Sequence, residues 1–374
     1  MSFRWAGVRV LLCALFVAIF MGHLGPAQNG PQARFLHKWG TPGGGSGQFS
    51  APEAVAVGPN DHVYVVDTYN HRIQVFDQSG EFLSQWGSLC DLGTQEGCLD
   101  PDGSGPLSAG DGQFKTPEGI AIDAIFELVY ITDSENHRIQ VFDLEGSFIR
   151  KWGKFGSTQG LFYIPVGLSL DEEGLLYVSD VFNHRVQVFN ESGTYIRQWG
   201  TRGGDRSQFE YPSSVAVSNE RAYVSDNGNH RIQIFDLAGN FIGSFGTLCS
   251  TMTKEGCVDP DGTGPLEPGD GQLRLPFGIA GDPNGNLFVI DQGNNRVQAF
   301  GPEGSFLAVW GSICAIANAE ADPARINCKD PDAGGSLELG DGQFYSPKGI
   351  AVDDQGKIYI ADSDNHRVQV FELR

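Results

Sequence analysis

The heptapeptide NHRIQVF at Asn70–Phe76 returns five more times, as NHRIQVF from Asn136, NHRVQVF from Asn183, NHRIQIF from Asn229, NNRVQAF from Asn294 and NHRVQVF from Asn365. An Asp stands three residues ahead of each Asn, at Asp67, Asp133, Asp180, Asp226, Asp291 and Asp362. Six copies of one unit restrict the fold to architectures built from like modules, a solenoid or a ring of blades. The Asp-to-Asp spacings of 66, 47, 46, 65 and 71 residues resolve into a unit of about 46 with three insertions of roughly 20 to 25.

Each unit carries four short β-rich runs, in the third VGLSLD from Val166, LLYVSD from Leu175, RVQVF from Arg185 and TYIRQW from Thr194. They alternate or are solidly apolar, and Gly, Asn and Asp cluster between them, the pattern of strands joined by tight turns. Beyond the leader no window sustains a helical period. The last unit stops at Arg374 after its third strand, and RFLHKWG at Arg34–Gly40 matches the fourth-strand pattern of EFLSQWG from Glu81 and SFIRKWG from Ser147. The sequence therefore predicts an all-β propeller of six four-stranded blades, closed by an N-terminal strand that completes the last blade. Such closure leaves no open sheet edge, whereas a solenoid would need end caps.

These repeats resemble the NHL repeat family, and the resemblance runs from Arg34 to Arg374. It implies a six-bladed β-propeller. No RING, B-box or coiled-coil segment, of the kind that accompanies NHL propellers in ubiquitin ligases, is visible in the sequence.

The first 27 residues combine Arg4 and Arg9, the apolar run Val10–Met21 and the small-x-small site Gly25-Pro26-Ala27. That is the pattern of a secretory signal peptide, with a core too short for an ordinary membrane span. The propeller is expected over residues 28–374 in a secreted or periplasmic setting, the alternative being an uncleaved anchor that holds it outside the cytoplasm. Leu12 before Cys13 speaks against a lipid anchor. Six further cysteines fall in local pairs inside the insertions (about 88–112, 247–271 and 312–342): Cys90 with Cys98, Cys249 with Cys257, Cys314 with Cys328. Even, close pairs on an exported chain read as disulfides. Loss of Arg4 and Arg9 with the leader takes the net charge from −21 to −23, which repels phosphate backbones and lipid headgroups and sets nucleic acid aside as a partner.

Asp67, Asn70, His71 and Arg72 look like a catalytic cluster, yet six-fold repetition assigns them to the frame. A reaction needs one constellation; a ring needs the same hydrogen bonds in every blade. The Trp-Gly ends of the fourth strands (Trp39, Trp86, Trp152, Trp199, Trp310, with Phe245 once) read as blade packing. Function belongs where the blades differ. Just after the Pro that opens strand one, the copies carry Glu53, Glu118, Val166, Ser213, Phe277 and Lys348, and the loop after the Asp adds Tyr69 and Phe182. These loops are expected at the mouth of the channel, with an apolar arc around Phe182, Val166 and Phe277 and a charged arc around Glu53, Glu118 and Lys348.

Each insertion also holds an acidic segment: DPDGSGPLSAGD from Asp100, DPDGTGPLEPGD from Asp259 and DPDAGGSLELGD from Asp330. Oxygen side chains fall at EF-hand spacing, namely Asp100, Asp102, Ser104 and Asp111; Asp259, Asp261, Thr263, Glu267 and Asp270; Asp330, Asp332, Glu338 and Asp341, with Gly at the sixth position of each. Two readings stay open, a calcium loop and a disulfide-pinned acidic turn with no ion. Against calcium stand Asp for the final Glu, Pro at position two, Gly334 in place of the third loop's ligand, and the occurrence of GSGQF from Gly45 without any insertion.

The leading expectation is a monomeric, exported binding platform for a protein or glycan. Two enzyme alternatives share the fold: a calcium-dependent lactonase-like hydrolase using Glu53 or Glu118, and a peptidyl-hydroxyglycine amidating lyase. Resemblance to the lyases implies zinc held by channel histidines just after the strand-one Pro, where this chain has no His; outside the repeats its mature histidines are His37 and His62. Zinc is therefore not expected.

Overall fold

Each repeat folds into one four-stranded antiparallel sheet whose strands run outward from the channel in chain order. In the first blade the inner strand is Pro52–Val57, followed by Val63–Asp67, Arg72–Phe76 and the outer strand Phe82–Trp86. The other inner strands are Pro117–Asp123, Pro165–Leu170, Pro212–Ser218, Pro276–Gly281 and Gly349–Val352. The computed structural model describes residues 31–91, 93, 94, 96–98, 110–249, 269–313 and 340–374. The leader over residues 1–27 and most of each insertion lie outside them. No helix among the described residues is long and apolar enough to cross a membrane.

The ring closes as expected. Ala33–Trp39 pairs antiparallel with Arg367–Leu373, Ala33 opposite Leu373 and Trp39 opposite Val368, as the outer strand of blade six. Gln32 and Arg374 exchange backbone hydrogen bonds of 2.7 and 2.9 Å beyond the last pair.

Apolar residues of each sheet pack against the next blade, so the core consists of inter-blade clusters. The outer-strand aromatic of every blade meets the third-strand Phe of the following one: Trp86 on Phe142, Trp152 on Phe189, Trp199 on Phe235, Phe245 on Phe300 and Trp310 on Phe371. Trp39 on Phe76, with ring centroids 5.7 Å apart, joins the last blade to the first.

Within a blade the repeated polar residues form one buried network. In blade one the Asp67 carboxylate accepts from Arg72 Nε at 2.7 Å, Asn70 Nδ2 at 2.9 Å, Gln74 Nε2 at 3.0 Å and the Ser50 amide at 2.7 Å. The Asp–Arg pair recurs in the other five blades at 2.6 to 2.8 Å. Four hydrogen bonds, one of them from the Arg72 guanidinium, offset the cost of burying the carboxylate. These residues are frame, as the repetition implied.

The histidine has a different place from the rest of its motif. It caps the 3-10 turn after strand two in the left-handed region, φ 53° at His71, and its Nδ1 accepts an amide N–H from the next blade. His71 takes Thr116 N–H at 3.1 Å, His137 takes Ile164, His184 takes Tyr211, His230 takes Leu275, and His366 takes Ala51 across the closure. In blade five Asn295 Oδ1 accepts from Ser346 in the same way. The donors are the residues before the strand-one Pro, all with φ between 45° and 59°, a strained conformation for a β-branched residue such as Ile164. These clasps fix where the inner strands start.

Candidate functional site

Because the residue before each strand-one Pro is clasped, the side chain after that Pro is set toward the axis. Glu53, Glu118, Val166, Ser213, Phe277 and Lys348 accordingly line one small cavity of about 70 Å³. Small residues behind them let the inner strands converge: a Cβ on Gly119 would stand 1.9 Å from the Val166 carbonyl oxygen. That close approach narrows the channel.

The charged half of the ring is tied together. Lys348 Nζ donates to Glu53 Oε1 at 2.5 Å and lies 5.5 Å from the centroid of the Phe277 ring, so the charged and apolar arcs meet at Lys348. Glu53 is only 4% exposed. Burial opposes the Lys348 charge, but the carboxylates of Glu53 and Glu118 outweigh it and hold the lysine above its ordinary range. Glu118 has no hydrogen-bond or ion-pair partner among the described residues; burial first, and the Glu53 carboxylate second, push it up to about 8. Two carboxyls facing one ammonium leave one proton to be held at neutral pH. The Glu53 charge also raises the Tyr69 phenol, which stands exposed on the same rim. Ser213 Oγ donates to the Pro276 carbonyl at 3.1 Å.

Of the apolar arc, Val166 and Phe277 line the cavity and Phe182 stands exposed. Val166 is buried and Phe277 is half-buried beside Lys348. Among the exposed apolar side chains, Phe155, Tyr163, Phe182 and Tyr211, 38 to 61% exposed, form a continuous run on the loops at the ends of the inner and second strands. Their successive centroids are 5.1, 4.9 and 5.4 Å apart, and Tyr163 stacks on Phe182 at 28°. The clasps His137 and His184 support the two ends, 5.1 Å from Phe155 and 5.0 Å from Tyr211. Only Phe182 is singled out by the repeat alignment. The others occupy turn positions that differ from blade to blade and meet only in the ring.

Of the insertion residues, Cys90 and Cys98 form a disulfide with Cα atoms 4.3 Å apart, and Cys249 is disulfide-bonded. Cys257, Cys314 and Cys328 lie outside the described residues, as do Asp100, Asp102, Ser104, Asp259, Asp261, Thr263, Glu267, Asp330, Asp332 and Glu338. The twelfth positions are described. Asp111 accepts from Lys151 at 2.5 Å and Asp341 from Lys38 at 3.1 Å. The residues after Asp111, Asp270 and Asp341 repeat a turn present in every blade: Gly112, Gly271 and Gly342 donate to Gln140, Gln298 and Gln369 as Gly47 donates to Gln74 in the uninserted blade one.

A family profile for the NHL repeat matches residues 49–76, 114–142, 162–189, 209–235 and 344–371. It passes over blade five, where Asn295 replaces the clasp His and Ala299 stands in the third strand, although the sheet there is complete. The chain is 32% identical over 138 residues, 37% of its length, to Protein brain tumor of Drosophila melanogaster. It is 35% identical over 130 residues, 33% of its length, to peptidylglycine alpha-amidating monooxygenase of Rattus norvegicus. Those matches take in only 11 and 12% of the two larger proteins. In fold, the virginiamycin B lyase of Staphylococcus aureus is similar, with a TM-score of 0.53 at 13% identity over 92% of this chain and 100% of that one.

Proposed function

This chain is an NHL-repeat propeller, and on that premise we propose that it is an exported binding platform whose channel-mouth face receives a protein or glycan partner. The carrying observation is the run Phe155, Tyr163, Phe182 and Tyr211, four rings in mutual contact and open to solvent. Stacked, exposed aromatics on a rigid scaffold bury much area at little entropic cost when a partner covers them. The Cys90–Cys98 disulfide supports export to an oxidising compartment.

The double variant Tyr163→Ala with Phe182→Ala tests the reading, since exposed rings contribute little to folding. Binding to an oligosaccharide array and cross-linking to exported proteins of the source cell should fall at least tenfold, at about 2 kcal/mol per central ring, while the melting temperature holds. Undiminished binding by the double variant sinks the proposal.

A lyase or lactonase reading has less support. No imidazole stands among the six ring side chains, five repeat histidines are engaged as clasps, and the Lys348 ammonium already sits where a channel cation would meet Glu53.

For the insertions we propose calcium on Asp100, Asp102 and Ser104 and their counterparts, with Asp111 and Asp341 serving as lysine partners instead of ligands. An ion that binds only the folded chain stabilises it by mass action. Millimolar calcium should therefore raise the melting temperature, Asp100→Ala with Asp102→Ala should reduce that rise, and Asp111→Ala should leave it unchanged. If the EDTA-stripped protein takes up no calcium below about 1 mM, the weak end for such loops, the segments are pinned turns.

A further inference from the structure

The channel ring has one carboxyl more than it has ammonium groups to pair with it. Of its six side chains two are carboxyls and one is an ammonium, and the ammonium is committed to Glu53 at 2.5 Å. Ser213 is bonded to Pro276. Glu118 alone among the polar members lacks a hydrogen-bond or ion-pair partner among the described residues, although it lines the cavity. Glu118 is half-buried in the cavity wall, and a partly desolvated carboxyl without a partner costs stability that an apolar residue would not.

We infer that the charged half of this ring is a receptor site for a primary alkylammonium group, which enters the channel mouth and pairs with Glu118. The inference rests on the mouth face being a binding face and names the chemistry received there. An anion would face two carboxyls, with the one nearby cation already paired. A divalent ion would lack ligands, since no group of three His, Cys, Asp or Glu suited to a metal occurs among the described residues. The cavity of about 70 Å³ holds roughly five water-sized volumes, enough for an ammonium head and a thin methylene stem and too little for a sugar chain. Val166, Ile120 and Ile279 supply apolar wall for the stem. The net charge of −21 draws cations toward the protein, and a cleft with low-dielectric walls focuses that field.

Binding carries a proton signature. Glu118 is pushed up to about 8, so near pH 7 the ligand must displace its proton, whereas an alkylammonium keeps its own charge up to about 10. Observed affinity then rises about tenfold per pH unit below pH 8 and levels off above it. The groups facing Glu118 are Glu53, Lys348 and Glu135, with Tyr69 and Asp364 around Glu53; Lys348 and Tyr69 are raised above their ordinary ranges and do not titrate in this window.

Calorimetric titration of the intact protein with n-butylammonium chloride, and separately with a blocked lysine peptide, tests the site. A single site is expected, releasing close to one proton near pH 7 when buffers of different ionisation enthalpy are compared. Glu118→Gln, isosteric with the protonated acid, should keep the melting temperature while losing more than tenfold in affinity and all of the pH dependence. Lys348→Met removes the internal competitor, so affinity should rise. Saturation by both probes assigns the site to free amines as well; saturation by the peptide alone assigns it to a lysine of the partner. No saturation by either probe near pH 8.5, unchanged binding by Glu118→Gln, or weaker binding by Lys348→Met overturns the inference. Amine binding should persist in the Tyr163→Ala, Phe182→Ala double variant, so failure of the amine site and failure of the aromatic face are read separately.

Discussion

A chain shortened to begin after Gly40 is expected to lose the cooperative melting of the full propeller and to associate. Removal of Ala33–Trp39 strips the outer strand from blade six and exposes the N–H and C=O groups of Arg367–Leu373, which now pair with the missing segment. An unpaired, flat edge is a template for other chains. The loss is also apolar, because Phe35 packs edge-on against Phe371 at 5.7 Å and Trp39 is the aromatic that joins blade six to blade one at Phe76. Both rings are partly buried; truncating a fully buried aromatic costs about 3–5 kcal/mol, so losing the two together removes a large part of the stability of a typical domain. Melting followed by circular dichroism, with size-exclusion chromatography at several concentrations, decides the matter. An unaltered transition together with monomeric elution would falsify the view that this strand holds the ring shut.

The frame was legible because repetition multiplies a weak signal. Any one copy of RIQVF is an ordinary strand, but six copies at a fixed distance behind an Asp name the blade, its buried Asp–Arg pair and the strand missing at Arg374. The ring of Glu53, Glu118, Val166, Ser213, Phe277 and Lys348 was legible for the converse reason, as the one place just after the Pro where aligned copies disagree. Contacts between blades were harder to see. His71 sits in sequence among residues bonded within its own blade, and its partner Thr116 is 45 positions away. The one available signal was the exchange of His for Asn295, two side chains that share an acceptor atom and tolerance of the left-handed region. The aromatic run escaped because Phe155, Tyr163 and Tyr211 occupy different repeat positions, so alignment by repeat separates residues that the ring brings together.

Acid should loosen the ring through those clasps. Each clasp histidine accepts its neighbour's N–H on Nδ1, at 3.1 Å for His71 and 3.2 Å for His137, and a protonated imidazole has no lone pair there to accept with. Burial is the main cause that holds His71, His137 and His184 below their ordinary value of 6.5. With the folded value below the unfolded one, the unfolded chain binds more protons, so this contribution is complete above about pH 6.5 and is lost as pH falls through the interval beneath it. Burial raises the network carboxyls Asp133, Asp180, Asp291 and Asp362. A raised carboxyl acts with the opposite sign, so a bare pH profile mixes the two. Blade five supplies the control, because Asn295 Oδ1 accepts the Ser346 amide at 2.8 Å with nothing to titrate. The triple variant His71→Asn, His137→Asn and His184→Asn should melt within a few degrees of the parent near pH 7.5, where both side chains accept, and should fall less than the parent on acidification to about pH 5. Parallel losses in the two proteins would show that the clasps do not titrate with folding and that the acid sensitivity of the ring lies in groups other than the clasps and the raised network carboxyls.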